Sequence, residues 1–444
     1  MSDLVRGLTL RQAVAINMID MVGIGPFITI PFVIGAMSGP QCILAWLLGA
    51  LLSFMDGCVW AELGAKWPQA GGSYAFLQHL YSKHKWGKLL SFLYIWQTTF
   101  QAPLVIASGT IGFAQYLTYL FPLSGMEQKM VSGALIIFIT SLLYRKIETI
   151  GKISVVMNAI VIGTMLWLIG SGLTHFNAHL AFTFNPDAMD FTPAFFFGLG
   201  QASIKTVYSF LGYYNVCHLG GEIEHPQKNI PRSIFISIAG IAVLYLLMQT
   251  AVSGVIPWQQ AKDSPFIVST FFEIIYGSAA AQIATVLVLF IAVSSLFAVM
   301  LGYSRVPYAA ALDGNYFPVF ARVHPTKHFP HISLLILAGV AFIFSLLFKM
   351  KEVITAIIVM RIIIQFIGQS AGLLALHYAK KDTHFPYKMW LFPLPPIIAI
   401  VVWLFIFFSS ETIFVAAVAA FIVSGVLVFL YQAMVKREWP FKRS

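Results

Sequence analysis

The chain has 444 residues, of which 59% are hydrophobic and 10% are charged, and its mean hydropathy is +0.83. Soluble domains carry charge on roughly a quarter of their residues, so this composition excludes a soluble globular protein and indicates a polytopic membrane protein. The formal net charge of +10 therefore needs a source other than a water-exposed basic surface.

Twelve apolar runs are predicted to cross the membrane as α-helices, because a helix needs about 20 apolar residues to span the hydrocarbon core. The expected fold class is therefore an all-α polytopic membrane protein, and we number the runs spans 1 to 12. In chain order they cover residues 10–36, 41–63, 88–120, 128–144, 153–172, 194–220, 233–256, 279–303, 331–348, 352–378, 392–409 and 412–434.

The lysines and arginines are distributed unevenly between the two sides of the predicted bundle. Most of the 27 fall in loops on the side of the N-terminus, and short cytoplasmic loops collect basic residues. Both termini are therefore expected in the cytoplasm and the chain in the cytoplasmic membrane, which explains the net charge without a nucleic-acid partner. The exceptions are four residues on the opposite side and two inside spans: Lys129, Lys262, Lys349, Lys351, then Lys205 and Arg361.

The three cysteines, Cys42, Cys58 and Cys217, fall in apolar spans without metal-ligand spacing and are predicted to be packing residues. The first apolar stretch is too long for a signal peptide and has no small-residue cleavage site, so it is expected to stay as span 1. No cofactor and no metal is predicted.

Two spans are interrupted. Gly23-Ile24-Gly25-Pro26 breaks span 1, and residues 208–215 place Gly212 and several polar groups inside span 6. An unsatisfied backbone group in hydrocarbon costs several kcal/mol, so such breaks occur where they line a cavity. The alternative is that each glycine is only a contact between helices, because small residues are common there.

The two breaks stand five spans apart, which is typical of an inverted-repeat transporter with its site near the midplane. The prediction is one transporter domain over residues 1–444. Its first five-helix repeat covers 10–172, the inverted second repeat covers 194–378, and spans 11 and 12 cover 392–434.

Several short motifs, in this order and spacing, resemble one known family. The chain is similar to the amino acid, polyamine and organocation superfamily of secondary transporters, amino acid permease branch, over nearly its whole length. The motifs are residues 23–27, 61–63, 67–74, 208–212, 221–232, 304–305, 313–314, 317–318 and 385–390. The resemblance implies ten core helices in two inverted repeats, with an amino acid bound by the broken parts of spans 1 and 6.

The backbone chemistry of a broken helix suits such a substrate, because free carbonyls end one half and free amides begin the other. An ammonium fits the carbonyls and a carboxylate fits the amides. The resemblance assigns the carboxylate to the amides of Ile24 and Gly25, beside Gly23. It assigns the ammonium to carbonyls around Met21, Tyr208 and Leu211, beside Gly212. Where Ile24 stands, many relatives have a hydroxyl or small residue, so a side-chain bond to the carboxylate is not expected here.

Side-chain roles in the predicted pocket follow from position. Tyr208 occupies the family's aromatic position before the span 6 break and is expected to gate the substrate; the alternative is a packed aromatic residue. In span 3, Thr99 and Gln101, with Trp96, either line the side-chain pocket or make a polar contact between helices.

Charged residues inside spans are expensive, so they are functional hypotheses. Asp20, one turn before Gly23, is assigned three possible roles: binding a cationic amine, carrying a coupling proton, or neutralising a Lys or Arg. Lys205 is expected to face the outer vestibule or an acidic partner. Arg361 shares a helix face with Gln365 and Gln369 that is expected to point into the bundle. Two more acids lie in span 2: Asp56, with no predicted partner, and Glu62, expected to snorkel or pack.

The coupling ion is suggested only weakly by the sequence. Ser294 and Ser295 resemble the hydroxyl pair that binds sodium in some carriers of this fold, although serine pairs are also common packing residues. Span 5 carries no lysine of the kind that proton-coupled relatives use, which favours exchange or facilitated transport.

The function expected is a secondary transporter, permease or exchanger, that moves amino acids by alternating access, with neutral L-amino acids preferred. A cationic amino acid or polyamine transporter using Asp20 is the alternative, and a non-transporting nutrient sensor is the second. An enzyme is not expected, because the spans contain no clustered nucleophile and base. The expected partners are the amino acid, a proton or an exchanged amino acid, and the lipid bilayer; no oligomeric state is predicted.

Overall fold

The computed structural model describes residues 4–82, 86–186, 188–347, 350–379 and 384–441, with backbone only for 350–353. These residues are mainly helical, and the extended pairings among them are two isolated bridges. The helices are α1 Leu10–Met21, α2 Gly25–Met37, α3 Ile43–Lys66, α4 Ser73–Leu80, α5 Trp86–Leu117, α6 Gly125–Leu143, α7 Ile147–Thr174, α8 Ala178–Phe182, α9 Pro193–Phe210, α10 Asn215–His218, α11 Pro226–Ser253, α12 Trp258–Ala261, α13 Ile267–Tyr276, α14 Ser278–Tyr303, α15 Arg305–Leu312, α16 His331–Leu347, α17 Met350–Arg361, α18 Gly368–Ala379, α19 Leu394–Phe408 and α20 Thr412–Lys436. A π-helical turn, Ile362–Ile367, joins α17 to α18.

The predicted break in span 1 separates α1 from α2, whose axes differ by 44°. α1 begins at a capping box on Thr9, and α2 begins with Gly25 and Pro26. Proline has no N–H to leave unsatisfied in the first turn and its fixed φ suits a helix start. The glycines and proline therefore end one helix and begin the next within three residues.

The second predicted break separates α9 from the short α10. Gly212 lies between them with a φ of +121°, a backbone conformation that favours glycine. A Cβ at Gly212 would lie 2.8 Å from Cγ of Asp20 and 2.8 Å from the amide nitrogen of Met21. Glycine is therefore needed twice at this point, for the backbone angle and for the close approach to α1.

The bundle packs around these two broken helices. α1 contacts α7, α11 and α14, while α2 packs along α9. α3 lies against both α9 and α11, and its Gly57 leaves room for Ile238. Small residues let membrane helices approach closely, so the breaks are held in the interior of the bundle.

Among the described residues, eight helices are long and apolar enough to cross a membrane, and the bent pair α1–α2 makes a ninth. Predicted spans 6, 9 and 11 correspond to α9, α16 and α19, which have 18, 17 and 15 residues. The all-α membrane fold is confirmed, while the count of twelve spans stays a prediction. Several positions used to predict the spans and the orientation lie outside the described residues: residue 348 at the end of span 9, and the basic residues Lys83, Lys85, Lys349, Lys380, Lys381, Lys442, Arg443 and the side chain of Lys351.

Two acids of α3 have partners that the sequence did not reveal. Asp56 is buried and accepts hydrogen bonds from Trp60 Nε1 at 2.8 Å and from the hydroxyl of Tyr213. Glu62 does not snorkel: it is fully buried, accepts from the amide of Met389 at 2.8 Å, and pairs with His377. Buried carboxylates need such partners, and all of them except Trp60 lie on distant parts of the chain.

Candidate functional site

A small cavity lies between the two helix breaks and is also lined by α5, α14 and α17. It brings together most of the residues singled out in the sequence: Asp20, Met21, Gly23, Ile24, Gly25, Tyr208, Leu211, Gly212, Ser295 and Arg361. These residues come from parts of the chain more than 300 positions apart. No single motif therefore forms the candidate site, and the fold brings its residues together.

The glycines of the first break face two other helices at close range. A Cβ at Gly23 would lie 2.5 Å from Oγ of Ser295, and one at Gly25 would lie 3.0 Å from Cε1 of Tyr208. Any larger residue at either position would have to displace these groups. The break is thus fitted to α14 on one side and to α9 on the other.

Some backbone groups at the breaks have no hydrogen-bond partner within the described part of the chain. The N–H groups of Ile24 and Gly25 donate to no carbonyl there, and the carbonyl of Leu211 accepts from no donor there. Unpaired donors at a helix start attract an anion, and an unpaired carbonyl attracts a cation. Both kinds of group border the cavity.

Side chains satisfy several other freed groups and tie the two breaks together. The hydroxyl of Tyr245 in α11 lies 2.7 Å from the carbonyl of Met21 and 3.0 Å from that of Ser209. Asn17 of α1 donates to the carbonyl of Tyr213 at 2.8 Å and accepts from the amide of Val216 at 2.9 Å. These buried bonds join α1, α9 and α10 at the point where each helix is interrupted.

Asp20 and Arg361 line the same cavity without a salt bridge of 4 Å or less between them. Arg361 is 1% exposed, and its guanidinium lies 5.1 Å from the ring of Tyr214 and 5.2 Å from that of Phe366. Nε donates to Gln365 at 2.8 Å, whereas one terminal nitrogen has no hydrogen-bond partner among the residues that the structure describes. A buried guanidinium with an unused donor is costly unless an anion approaches it.

Arg361 is also the last residue before the π-helical turn Ile362–Ile367. Single π-turns inside α-helices are uncommon and are frequent at functional sites. The sequence placed Arg361, Gln365 and Gln369 on one inward face, and all three are buried. The π-turn changes their relative directions, which a regular helical spacing could not predict.

Tyr208 covers Gly25 of the first break, and its hydroxyl lies 3.0 Å from Oγ of Ser108 on α5. The ring therefore borders the cavity and connects α9 to α5 as well as to α2. The role of Tyr208 as a gate stays a prediction.

Other predicted residues lie outside the cavity. Thr99 bonds to Ile95 and to Tyr316, 3.1 Å away, and lines a separate small cavity. Gln101 reaches the hydroxyl of Tyr303 at 3.5 Å, so its link to the cavity is indirect. Three further predicted residues do not line the cavity either. Lys205 donates to Thr355 at 2.9 Å, Ser294 donates to the carbonyl of Phe290, and Trp96 packs on Phe421.

A buried ion pair lies on the face of the bundle that carries residues 4–9. Arg305 donates to both carboxylate oxygens of Glu222, at 2.9 and 2.8 Å, and the two side chains are 1% and 0% exposed. The carbonyl of Glu222 also accepts from the amides of Gly7 and Leu8. We call these four residues, Gly7, Leu8, Glu222 and Arg305, the N-terminal latch, because they join the segment before α1 to the turn after α10 and to the start of α15.

The sequence missed several residues that build the site. Tyr214, His218 and Tyr303 line the cavity, and Asn17 and Tyr245 hold the breaks. Asn17 is a polar residue inside an apolar span, and this feature of the sequence could have identified it as part of the site. The tyrosines could not have been identified in this way, since the chain contains 17 of them.

Comparison with known proteins finds similarity to amino acid permeases over nearly the whole chain. The pattern that defines the family described as amino acid permease matches residues 8–435. Three proteins of Bacillus subtilis (strain 168) are each 24% identical to this chain. The uncharacterized amino acid permease YecA aligns over 78% of this chain and 77% of its own length, the aspartate-proton symporter over 80% and 70%, and the serine/threonine exchanger SteT over 86% and 85%. With its all-α membrane fold, the chain therefore belongs to the amino acid permease family of the amino acid, polyamine and organocation superfamily, and it is a membrane transporter rather than an enzyme.

Proposed function

We propose that this protein is a secondary active transporter, a permease or exchanger, that moves neutral L-amino acids across the cytoplasmic membrane by alternating access. The observation that carries the proposal is the cavity between the two breaks, bordered by unpaired amides on α2 and an unpaired carbonyl after α9. An amino acid head group supplies the carboxylate and the ammonium that these groups need.

In the proposed complex, the carboxylate accepts from the amides of Ile24 and Gly25, and the ammonium donates to the carbonyl of Leu211. The carbonyls of Met21 and Tyr208 are less available, because they accept from Tyr245 and from the amide of Leu211. The ammonium site is therefore narrower than the sequence predicted. Tyr208 acts as the gate above the substrate.

The preference for neutral amino acids rests on the charges around the cavity. Asp20 and Arg361 carry opposite formal charges, so the site has no net charge from this pair. A zwitterionic amino acid adds no net charge, whereas a cation or an anion leaves one charge uncompensated in a buried site. If Asp20 acts on the substrate alone, the alternative follows: a cationic amino acid or polyamine transporter.

Coupling is proposed to be exchange of amino acids or symport with a proton. One relative bears the name of an exchanger and another that of a proton symporter. Ser295 donates to the carbonyl of Asp20 at 3.2 Å, which gives it a position at the first break, while Ser294 bonds within its own helix. Asp20, lining the cavity without a salt bridge, is the carboxyl best placed to carry a proton.

The proposed topology has both termini in the cytoplasm and two inverted five-helix repeats over 10–172 and 194–378, followed by two helices over 392–434. In that orientation the N-terminal latch lies on the cytoplasmic side. With the latch closed, the substrate route from the cytoplasm is blocked, as one conformation of an alternating-access carrier requires.

A thermal-shift screen of the purified protein against amino acids and polyamines tests the substrate class. A ligand at 100 times its dissociation constant stabilises the folded state by about 2.7 kcal/mol, which raises the melting temperature. We expect neutral L-amino acids to do so and polyamines not to. If Asp20→Asn leaves the preference unchanged, the cationic alternative is excluded.

Exchange in liposomes separates a carrier from a sensor of the same fold. Liposomes loaded with an amino acid that stabilises the protein should take up the labelled amino acid faster than protein-free liposomes. If that ligand binds but does not exchange and is not taken up, the sensor is correct and the transporter proposal fails.

A further inference from the structure

A groove of about 1140 Å³ opens on the outer surface of the bundle, between α6 and α16. Its walls are apolar side chains such as Ile137 and Leu335, which are 64% and 45% exposed. The two helices close at the far end, where a Cβ at Gly133 would touch the ring of Phe342. The groove is therefore bounded at one end and open at the other.

Its length matches one membrane leaflet. From Gly133 to Tyr144 at the open end, α6 rises about 16 Å, and one leaflet of the hydrocarbon core is about 15 Å thick. On α16, a Cβ at Gly339 would meet no atom of the described chain within 4 Å, so the groove has open space at this position. An acyl chain fits this shape.

The open end is basic. Arg145, Lys146 and Lys327 line it, and the first two are exposed. Lys327 is held in place: its Nζ donates to the carbonyl of Tyr144 at 2.8 Å and lies 4.6 Å from that ring. Three cations thus stand at one end of an apolar groove.

No acid neutralises them within the described part of the chain, where none of the three forms a salt bridge. The adjacent Glu148 is turned away, because its Cγ would lie 3.0 Å from a Cβ at Gly7. The same contact places this end of the groove on the face that carries residues 4–9, which is the cytoplasmic face in the proposed topology.

We propose that the groove between α6 and α16 binds one phospholipid with an anionic headgroup. Its phosphate meets Arg145, Lys146 and Lys327, and one acyl chain lies over Gly339. Basic pockets between membrane helices suit such headgroups, and the apolar walls require a ligand with a hydrocarbon tail. The site is independent of the substrate cavity.

Native mass spectrometry of the detergent-purified protein, titrated with phosphatidylglycerol or phosphatidylcholine, tests the site by counting bound lipids. We expect one phosphatidylglycerol to bind more tightly than any phosphatidylcholine. Arg145→Gln with Lys146→Gln should weaken it about 30-fold, which corresponds to about 1 kcal/mol per basic residue. Gly339→Leu should weaken it at least about 10-fold by filling the space of the acyl chain.

The chain supplies matched controls for both variants. Gly163→Leu also adds a side chain where nothing lies within 4 Å, on α7 and outside the groove. Lys152→Gln with Lys228→Gln removes two exposed cations that do not line the groove. Both controls should bind phosphatidylglycerol like the unchanged protein.

Four results would overturn the proposal. One is equal binding of the two lipids, and another is equal loss in the controls and the groove variants. The third is displacement of the lipid by millimolar glycerol 3-phosphate, since that would mean a phosphate site without a tail. A Gly339→Leu variant that changes the oligomeric mass but retains the lipid would assign the groove to a second copy of the chain instead.

Discussion

Asp20 and Arg361 are the two residues whose charges decide what the cavity accepts. Replacing Arg361 with Gln leaves Asp20 as the single charge of the two in the cavity, and a buried carboxylate without a nearby positive charge favours a cationic ligand. We expect Arg361→Gln to bind neutral amino acids at least about 10-fold more weakly and to gain affinity for cationic ones. Competition binding with both classes measures this.

The double variant Asp20→Asn with Arg361→Gln is the matched control, because it removes both charges and keeps the cavity neutral. It should prefer neutral amino acids again. Coupling between the two substitutions is expected, since they act on one cavity. If Arg361→Gln keeps its neutral affinity and gains none for cations, the charge argument is wrong.

Gly212 is a residue with two constraints that can be separated. Gly212→Ala places a Cβ against Asp20 at a φ of +121°, whereas Gly277→Ala adds one at a φ of +84° with nothing within 4 Å. Both carry the backbone penalty, but the first also pushes α1 away from the second break. We expect substrate-induced thermal stabilisation to be lost in Gly212→Ala and kept in Gly277→Ala. If both variants lose the substrate-induced stabilisation, backbone strain alone explains the loss, and the contact with Asp20 is not needed.

At the scale of elements, the two broken helices are held by side chains rather than by their own backbones. Tyr245→Phe removes the hydroxyl that lies between the carbonyls of Met21 and Ser209. Leaving a buried carbonyl unsatisfied costs about 1–3 kcal/mol, so the variant should melt at a lower temperature. The half-exposed Tyr276 provides the control, and Tyr276→Phe should melt like the unchanged protein.

In the proposed alternating-access cycle, the N-terminal latch opens for substrate to pass on the face that carries residues 4–9. Glu222→Gln leaves Arg305 as a buried unpaired charge, which destabilises the closed arrangement by about 3–5 kcal/mol. Cys217 in α10 is 1% exposed and lies beside this region, so its alkylation in a Cys42→Ala, Cys58→Ala background reports opening. We expect at least about a 10-fold faster reaction.

The neighbouring Glu224→Gln controls for the loss of charge, because Glu224 forms no side-chain ion pair in the described part of the chain. It should leave the alkylation rate unchanged. An unchanged rate in Glu222→Gln would mean that the ion pair does not keep this face closed.

For the whole molecule, the sequence predicted what local chemistry determines. Gly23, Gly25 and Gly212 interrupt apolar runs, and the structure breaks its helices there. It could not predict how helices rotate against one another. Thr99 therefore faces a separate cavity, and Asp20 and Arg361 share one although about 340 residues separate them. The distant partners of Asp56 and Glu62, which are Tyr213, His377 and Met389, were hidden for the same reason.

The most direct test of the central claim is uptake by liposomes of a neutral L-amino acid in competition with its own derivatives. The free amino acid should compete fully. Its N-acetyl and methyl ester forms should compete at least about 10-fold more weakly, because each removes one charge that the two breaks are proposed to bind. Equal competition by the free amino acid and both derivatives, or no saturable uptake of any amino acid, would contradict a head-group site between α1–α2 and α9–α10.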